Sequence, residues 1–86
     1  RSGFSPNHDG INDTFVIENL NRFPNNQLCV FNRWGNQVLQ EENYQNNWDG
    51  TWDESTVLPD GTYFYVLDVE VDSEMQQYTG FVQLRR

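Results

Sequence analysis

Nine consecutive residues, Tyr63-Phe64-Tyr65-Val66-Leu67-Asp68-Val69-Glu70-Val71, restrict what this chain can fold into more than any other segment. Tyr63, Tyr65, Leu67, Val69 and Val71 recur at every second position, and Asp68 and Glu70 fall between them. A period of two belongs to a β-strand, so the pattern predicts a long strand with one buried face and another that is wet toward its end. Asp72-Ser73-Glu74 reads as the turn that follows. The return strand runs through Tyr78, Gly80, Val82 and Leu84, with Gln77, Thr79 and Gln83 alternating. The chain then ends on Arg85-Arg86, which predicts a C-terminus tied into a sheet.

A second hairpin is as legible. Gln27 to Arg33 forms one arm and Gln37 to Gln40 the other, joined near Gly35-Asn36, a pair suited to the positive φ values of two-residue hairpin turns. Thr14-Phe15-Val16-Ile17-Glu18 reads as a short strand after a polar loop. Glu41 to Pro59 mixes polar and aromatic residues without clean alternation, and reads as loop with one short strand. No segment sustains a helical period, and only the stretch near Asn19 to Phe23 suits a helical turn. Short strands separated by Gly, Pro, Asn and Asp turns define an all-β chain and predict a sandwich.

The 86 residues suffice for one domain. Chains this short bury only about 60% of their unfolded surface, so the core must be compact or stapled. Thirteen aromatic residues, among them Trp34, Trp48 and Trp52, supply such a core. Thirteen acidic residues stand against five arginines and no lysine, a formal charge of −8. That balance argues against nucleic acid, whose phosphates need a basic face, and against docking on anionic lipid by charge alone. It suits a soluble, exported domain. Cys29 is the only cysteine, which excludes an internal disulfide, and its run Leu28-Cys29-Val30-Phe31 suggests a small buried hydrophobe. No stretch has the apolar length of a transmembrane helix, and the opening lacks a signal-peptide core, so the chain reads as a fragment of a longer protein.

Two segments carry candidate chemistry. In Ser5-Pro6-Asn7-His8-Asp9-Gly10-Ile11-Asn12-Asp13, the oxygens of Asn7, Asp9, Asn12 and Asp13 could surround calcium or another hard cation. The EF-hand pattern fails, because Ser5 and Val16 stand where its first acidic ligand and its bidentate Glu belong. The same side chains could instead cap the backbone of a tight loop. In Asn46-Asn47-Trp48-Asp49-Gly50-Thr51-Trp52-Asp53, paired tryptophans offer either a sugar-stacking surface or, with Trp48 just before an Asp-Gly turn, a plug over the end of a sandwich core. Pro59-Asp60-Gly61 is a turn before the long strand. His8 is the lone histidine and has no nucleophile motif around it, and Glu41-Glu42 and Asp53-Glu54 read as solvated loop charges. No constellation of catalytic residues is present in the sequence.

Four motifs stand in order: Phe4-Ser5-Pro6-Asn7-His8-Asp9-Gly10-Ile11-Asn12-Asp13, Phe31-Asn32-Arg33-Trp34-Gly35-Asn36-Gln37-Val38, Trp48-Asp49-Gly50-Thr51, and Leu58-Pro59-Asp60-Gly61-Thr62-Tyr63-Phe64-Tyr65. Together with the ending Gly80-Phe81-Val82-Gln83-Leu84-Arg85-Arg86, this arrangement resembles the gliding-motility-associated C-terminal domain, the type B sorting domain of the type IX secretion system. His8 stands where that family usually has a small residue. The resemblance implies an immunoglobulin-like antiparallel β-sandwich of about seven strands, with residues 1–86 forming a single C-terminal sorting domain of a larger secreted or cell-surface protein of Bacteroidetes. It implies export across the outer membrane through the type IX machinery, with a dedicated outer-membrane partner protein, no membrane insertion and no required cofactor beyond possible calcium. It makes the domain a signal, not an enzyme, and monomeric in isolation. The final strand offers the surface to be read, with Tyr78, Phe81, Arg85 and Arg86 as partner-binding residues and strand addition as one docking mode. The competing readings are a carbohydrate- or surface-binding module of an adhesin, built on Trp34, Trp48 and Trp52, and a calcium-stiffened spacer.

Overall fold

The computed structural model describes residues 3–4, 14–52 and 56–85, and of residues 3–4 only the backbone. It is all-β: β1 (Gly3–Phe4), β2 (Asn26–Phe31), β3 (Gln37–Glu42), β4 (Thr51–Trp52), β5 (Thr56–Val57), β6 (Gly61–Val71) and β7 (Glu74–Leu84), with one 3₁₀ turn at Leu20–Arg22. Five strands form one sheet in the order β1-β7-β6-β2-β3, and β4 and β5 form a small second sheet. All the pairings are antiparallel except β1 with β7. The architecture is that of a small β-sandwich in which one wall is the five-stranded sheet. The facing wall is made of the segments 14–25, 43–52 and 56–60, which supply Phe15, Leu20, Tyr44, Trp48 and Leu58 to the core.

The alternation in β6 becomes burial as expected. Tyr63, Leu67 and Val69 are buried, and Tyr65 and Val71 pack partly buried against them. Register places Leu28 and Val30 of β2 beside Leu67 and Tyr65, and Val82 of β7 beside Tyr63. These side chains share one face of the sheet. Leu28, Val30, Val82 and Leu84 are fully enclosed there. Burying each such side chain contributes about 1.5–3 kcal/mol, which makes this row the base of the fold.

Asp72 and Ser73 both take left-handed backbone angles, φ 52° and 67°. That is the geometry of a two-residue hairpin turn whose twist matches its strands. Glu74 already pairs with Val71 and so opens β7 instead of closing the turn. The β2–β3 connection differs from the two-residue turn that Gly35-Asn36 suggests. Residues 32–36 form a longer loop in which the Asn32 side-chain oxygen accepts the N–H groups of Trp34 and Asn36, at 3.0 and 2.9 Å. Gly35, at φ 83°, supplies the left-handed step. Just beyond, the β2–β3 register shifts: Val30 faces Leu39 but Phe31 faces Gln37. Val38 is the extra residue of this bulge, which lets consecutive Val38 and Leu39 both reach the core.

The expectation of a strand over Thr14–Glu18 is corrected. Phe15 and Ile17 do point inward as the alternation requires, but their backbone partners are isolated. Phe15 N–H donates to the Trp48 carbonyl at 2.9 Å, and Ile17 N–H donates to the Asn46 side-chain oxygen at 2.9 Å. One partner is loop backbone and the other a side chain, so no ladder forms. The helical turn near Asn19 to Phe23 is present at Leu20–Arg22. The surplus of asparagine also finds a use, because Asn19, Asn43 and Asn46 hold left-handed angles at the corners of the loop wall.

Candidate recognition surface

The C-terminal half of the sheet places its polar and apolar groups unusually. β7 pairs with β6 over its whole length, from Gly61 opposite Leu84 to Val71 opposite Glu74. Of the core-side residues of β7, Val82 and Leu84 are buried. Tyr78 faces the core side in register with Leu67, yet is half exposed. Phe81 points to the opposite face, in register with Phe64, and is 63% exposed. Arg85 follows the strand and is exposed. The predicted partner-binding residues Tyr78 and Phe81 thus share an edge but not a face. Arg86, and the candidate metal ligands Asn7, Asp9, Asn12 and Asp13 together with His8, lie outside the described residues.

Sequence alternation alone does not reveal what lies on the outer face. Phe31, Phe64 and Phe81 come from three strands and align directly across β2, β6 and β7. Ring centroids are 6.1 Å apart between Phe31 and Phe64, and 5.7 Å between Phe64 and Phe81. The row floors a shallow groove walled by Val66, Thr62 and the 32–35 loop. Arg33 is the one charged side chain on that wall, and its guanidinium lies 4.4 Å from the centre of the exposed Trp34 ring. The row leaves no trace in the sequence, because each Phe sits on a different strand and only register brings them together.

Trp48 is 4% exposed, packs edge-on against Tyr63 at 5.9 Å and donates its indole N–H to the Thr51 carbonyl at 3.0 Å. It is the core plug, while Trp52 is half exposed, so the two do not form a shared sugar platform. Cys29 lies on the outer face beside Val66, half-buried and free, so it does not join the core. Burial first, and the Asp68 carboxylate second, raise its thiol pKa and keep it protonated. Among the described residues, no group of three or more His, Cys, Asp or Glu could hold a metal ion, and no helix is long and apolar enough to cross a membrane.

A small β-sandwich whose described interior is apolar apart from Asn26, and whose exposed apolar groups lie on strands and hairpin tips, fits the class of domains that work by being recognised. The chain is a member of the CHU_C type IX secretion signal domain family, whose pattern it matches over residues 1–84. No curated protein matches it. The family is a secretion signal and not an enzymatic one. The domain therefore acts as a C-terminal sorting signal, and the protein that carries it is exported to the cell surface or the medium. Recognition by the secretion machinery follows from that role.

Proposed function

We propose that the signal is read at the C-terminal strand by a dedicated outer-membrane partner protein working with the type IX machinery, with Tyr78, Phe81, Arg85 and Arg86 in the contact. The observation that supports this reading is the exposure of Tyr78 and Phe81 on β7, a strand whose neighbouring residues Val82 and Leu84 are fully buried. An exposed aromatic costs solubility unless a partner covers it, and interface contacts are enriched in Tyr, Phe and Arg. Arg85 and Arg86 place two of the five arginines of this acidic domain side by side at the end of the last strand, and they suit carboxylates on the partner.

A secretion assay in a type IX-competent host tests the reading. A fluorescent reporter with an N-terminal export signal carries residues 1–86, or a version truncated before Tyr78, with the partner protein co-expressed. Reporter in the medium only with the whole domain supports the reading. Reporter held in the periplasm by both, while the domain is folded, rejects it. Replacing Arg85 and Arg86 together with alanine separates the charge contribution, and unchanged secretion removes it. Calcium at Asn7, Asp9, Asn12 and Asp13 remains a proposal from the sequence. Calorimetry on metal-stripped protein decides it, since the absence of both heat and a rise in Tm at millimolar calcium ends the idea.

A further inference from the structure

The outer face of the main sheet has two ends of different chemistry. At one end Phe31, Phe64 and Phe81 stand in register across β2, β6 and β7. Four residues along the strands, about 13 Å away at about 3.3 Å per residue, the same face carries Gln27 and Asp68. Glu42 of β3 stands beside Gln27, and the Gln77 side chain donates to the Asp68 carboxylate at 3.0 Å. Amides and carboxylates are what a wet face requires, whereas a row of phenylalanines is not. None of the three belongs to the buried core. Trp34, in the loop that walls the row, is 70% exposed.

Charge divides the two ends as well. The chain has thirteen acidic residues, yet among the described residues no carboxylate lines the phenylalanine groove, and Arg33 is its one charge. The Arg33 guanidinium rests over the Trp34 ring and has no hydrogen-bond or ion-pair partner among the described residues. A guanidinium offers a planar fork of N–H donors that fits a carboxylate, and the bond strengthens where apolar surface displaces water around it. Asp68 and Glu42 repel a carboxylate from the opposite end of the face, so the same anion is drawn to one end and excluded from the other.

We propose that this face is the docking surface for an apolar segment of a partner protein, which covers Phe31, Phe64 and Phe81 and sets a carboxylate on Arg33. The inference rests on the sorting reading, since the partner is the component that reads the signal, and it extends the contact from Phe81 across the sheet to the 32–36 loop. Trp and Arg are the residues on which binding energy most often concentrates, and here they stand together beside the apolar row. A glycan fits less well. Successive ring planes are tilted by 41° and 56°, so the row gives no flat platform on which sugar rings could stack. A second copy of this chain also fits less well, because two domains of charge −8 repel.

The secretion assay with variants of the reporter fusion tests the proposal. Arg33→Glu reverses the charge at an exposed loop position, and Phe81→Ser removes the exposed ring. Both are expected to keep the melting temperature of the unsubstituted domain and to export at least about tenfold less reporter, a factor equal to about 1.4 kcal/mol of affinity. Arg22→Glu, the same change of charge on the loop wall, is expected to export normally. A folded Arg33→Glu or Phe81→Ser variant that exports at the unsubstituted level overturns the proposal. An equal loss with Arg22→Glu also overturns it, by assigning the effect to net charge. A fall in melting temperature that accounts for the loss in both variants does so too, by assigning the face to the fold. On the purified fusion, a tryptophan fluorescence change with cellohexaose that Phe81→Ser abolishes gives the face to a glycan. Sedimentation as a dimer that Phe81→Ser dissociates gives it to self-association, and either result overturns the proposal. An unsubstituted fusion that stays inside the cell rejects the sorting reading and the proposal with it, whereas normal export of the folded variants rejects the proposal alone.

Discussion

The sheet wall of the core and the loop wall facing it bury similar side chains, Leu28, Val30, Tyr63 and Val82 on one side and Phe15, Leu20, Trp48 and Leu58 on the other. What fixes them differs. The sheet strands are held by long runs of backbone pairing, so any one side chain can be altered while the ladder persists. The loop wall hangs on a few polar side chains. Asn26 is buried at the start of β2, accepts the Tyr44 N–H at 2.9 Å and donates to the Phe23 carbonyl at 2.7 Å. Tyr44 in turn donates its hydroxyl to the Phe15 carbonyl at 2.7 Å and accepts the Trp48 N–H at 2.9 Å. One phenol therefore ties two loop segments together. Regular structure spreads its stability over many equivalent bonds, and irregular structure concentrates it in single atoms.

The strongest test of that difference is Trp48→Ala. It removes the plug and its bond to Thr51, and is expected to cost about 3–5 kcal/mol. For a domain of this size that is a large share of the total, about 0.05–0.15 kcal/mol per residue. Urea unfolding should show a midpoint shift, and a cost below that of Leu28→Ala would mean that the sheet wall and not the loop wall carries the core. Next in size is Tyr44→Phe, which removes one oxygen while leaving two buried backbone groups without it. The expected loss is about 2–3 kcal/mol. A loss near zero would break the view that the loop wall depends on single atoms.

The same hydroxyl gives a pH signature. Burial is the main cause that raises its pKa far above the ordinary tyrosine value of 10.0. The folded state thus keeps a proton that the unfolded chain releases, and this stability is complete below about pH 10 and is lost as pH rises through the raised value. Thermal unfolding between pH 9 and 11 should show Tm falling in the parent protein, with the Tyr44→Phe variant losing its share of that slope.

On the sheet side, Gly80→Ala probes one close approach. A Cβ there would lie 2.8 Å from the Tyr65 hydroxyl oxygen and 2.9 Å from two ring carbons. Overpacking of this kind is expected to cost about 2 kcal/mol. Tyr65→Leu in the same chain should recover part of it in a double-mutant cycle, and additive losses would show that the ring is not the obstacle. The smallest effect belongs to Gly35→Ala at the hairpin tip, where no atom lies within 4 Å of the added carbon. Only the left-handed backbone is strained, at about 1 kcal/mol, measurable as a shift of a few degrees in Tm.

Legibility in the sequence follows the same division. β6 and β7 are plain from period two because their burial repeats with the pleat, and Trp48 is placed as a plug by the Asp-Gly turn behind it. The segment around Phe15 has the alternation of a strand without being one, because its partners are a loop carbonyl and an asparagine side chain far along the chain. The 32–36 loop hides behind a Gly-Asn pair, since the residue that shapes it is Asn32. Cys29 sits in an apolar run but takes the outer parity of β2, set by register and not by its neighbours. The outer phenylalanine row was invisible for the same reason. Tyr78 and Phe81 are legible as residues of the last strand, while their exposure is visible only in the fold.

The tight turn at Asp72-Ser73 has a kinetic consequence. β6 and β7 are adjacent in the chain, so closing their hairpin brings together residues at short sequence separation and proceeds in microseconds. Pairing Gly3 with Gln83, by contrast, closes a loop that spans nearly the entire chain. Assembly is therefore ordered from the C-terminus inward: the β6–β7 hairpin nucleates, the β2–β3 hairpin docks on it, and β1 closes the sheet last. Substitutions in β6 and β7 should slow folding, with φ-values well above those at β1, where changes should chiefly speed unfolding.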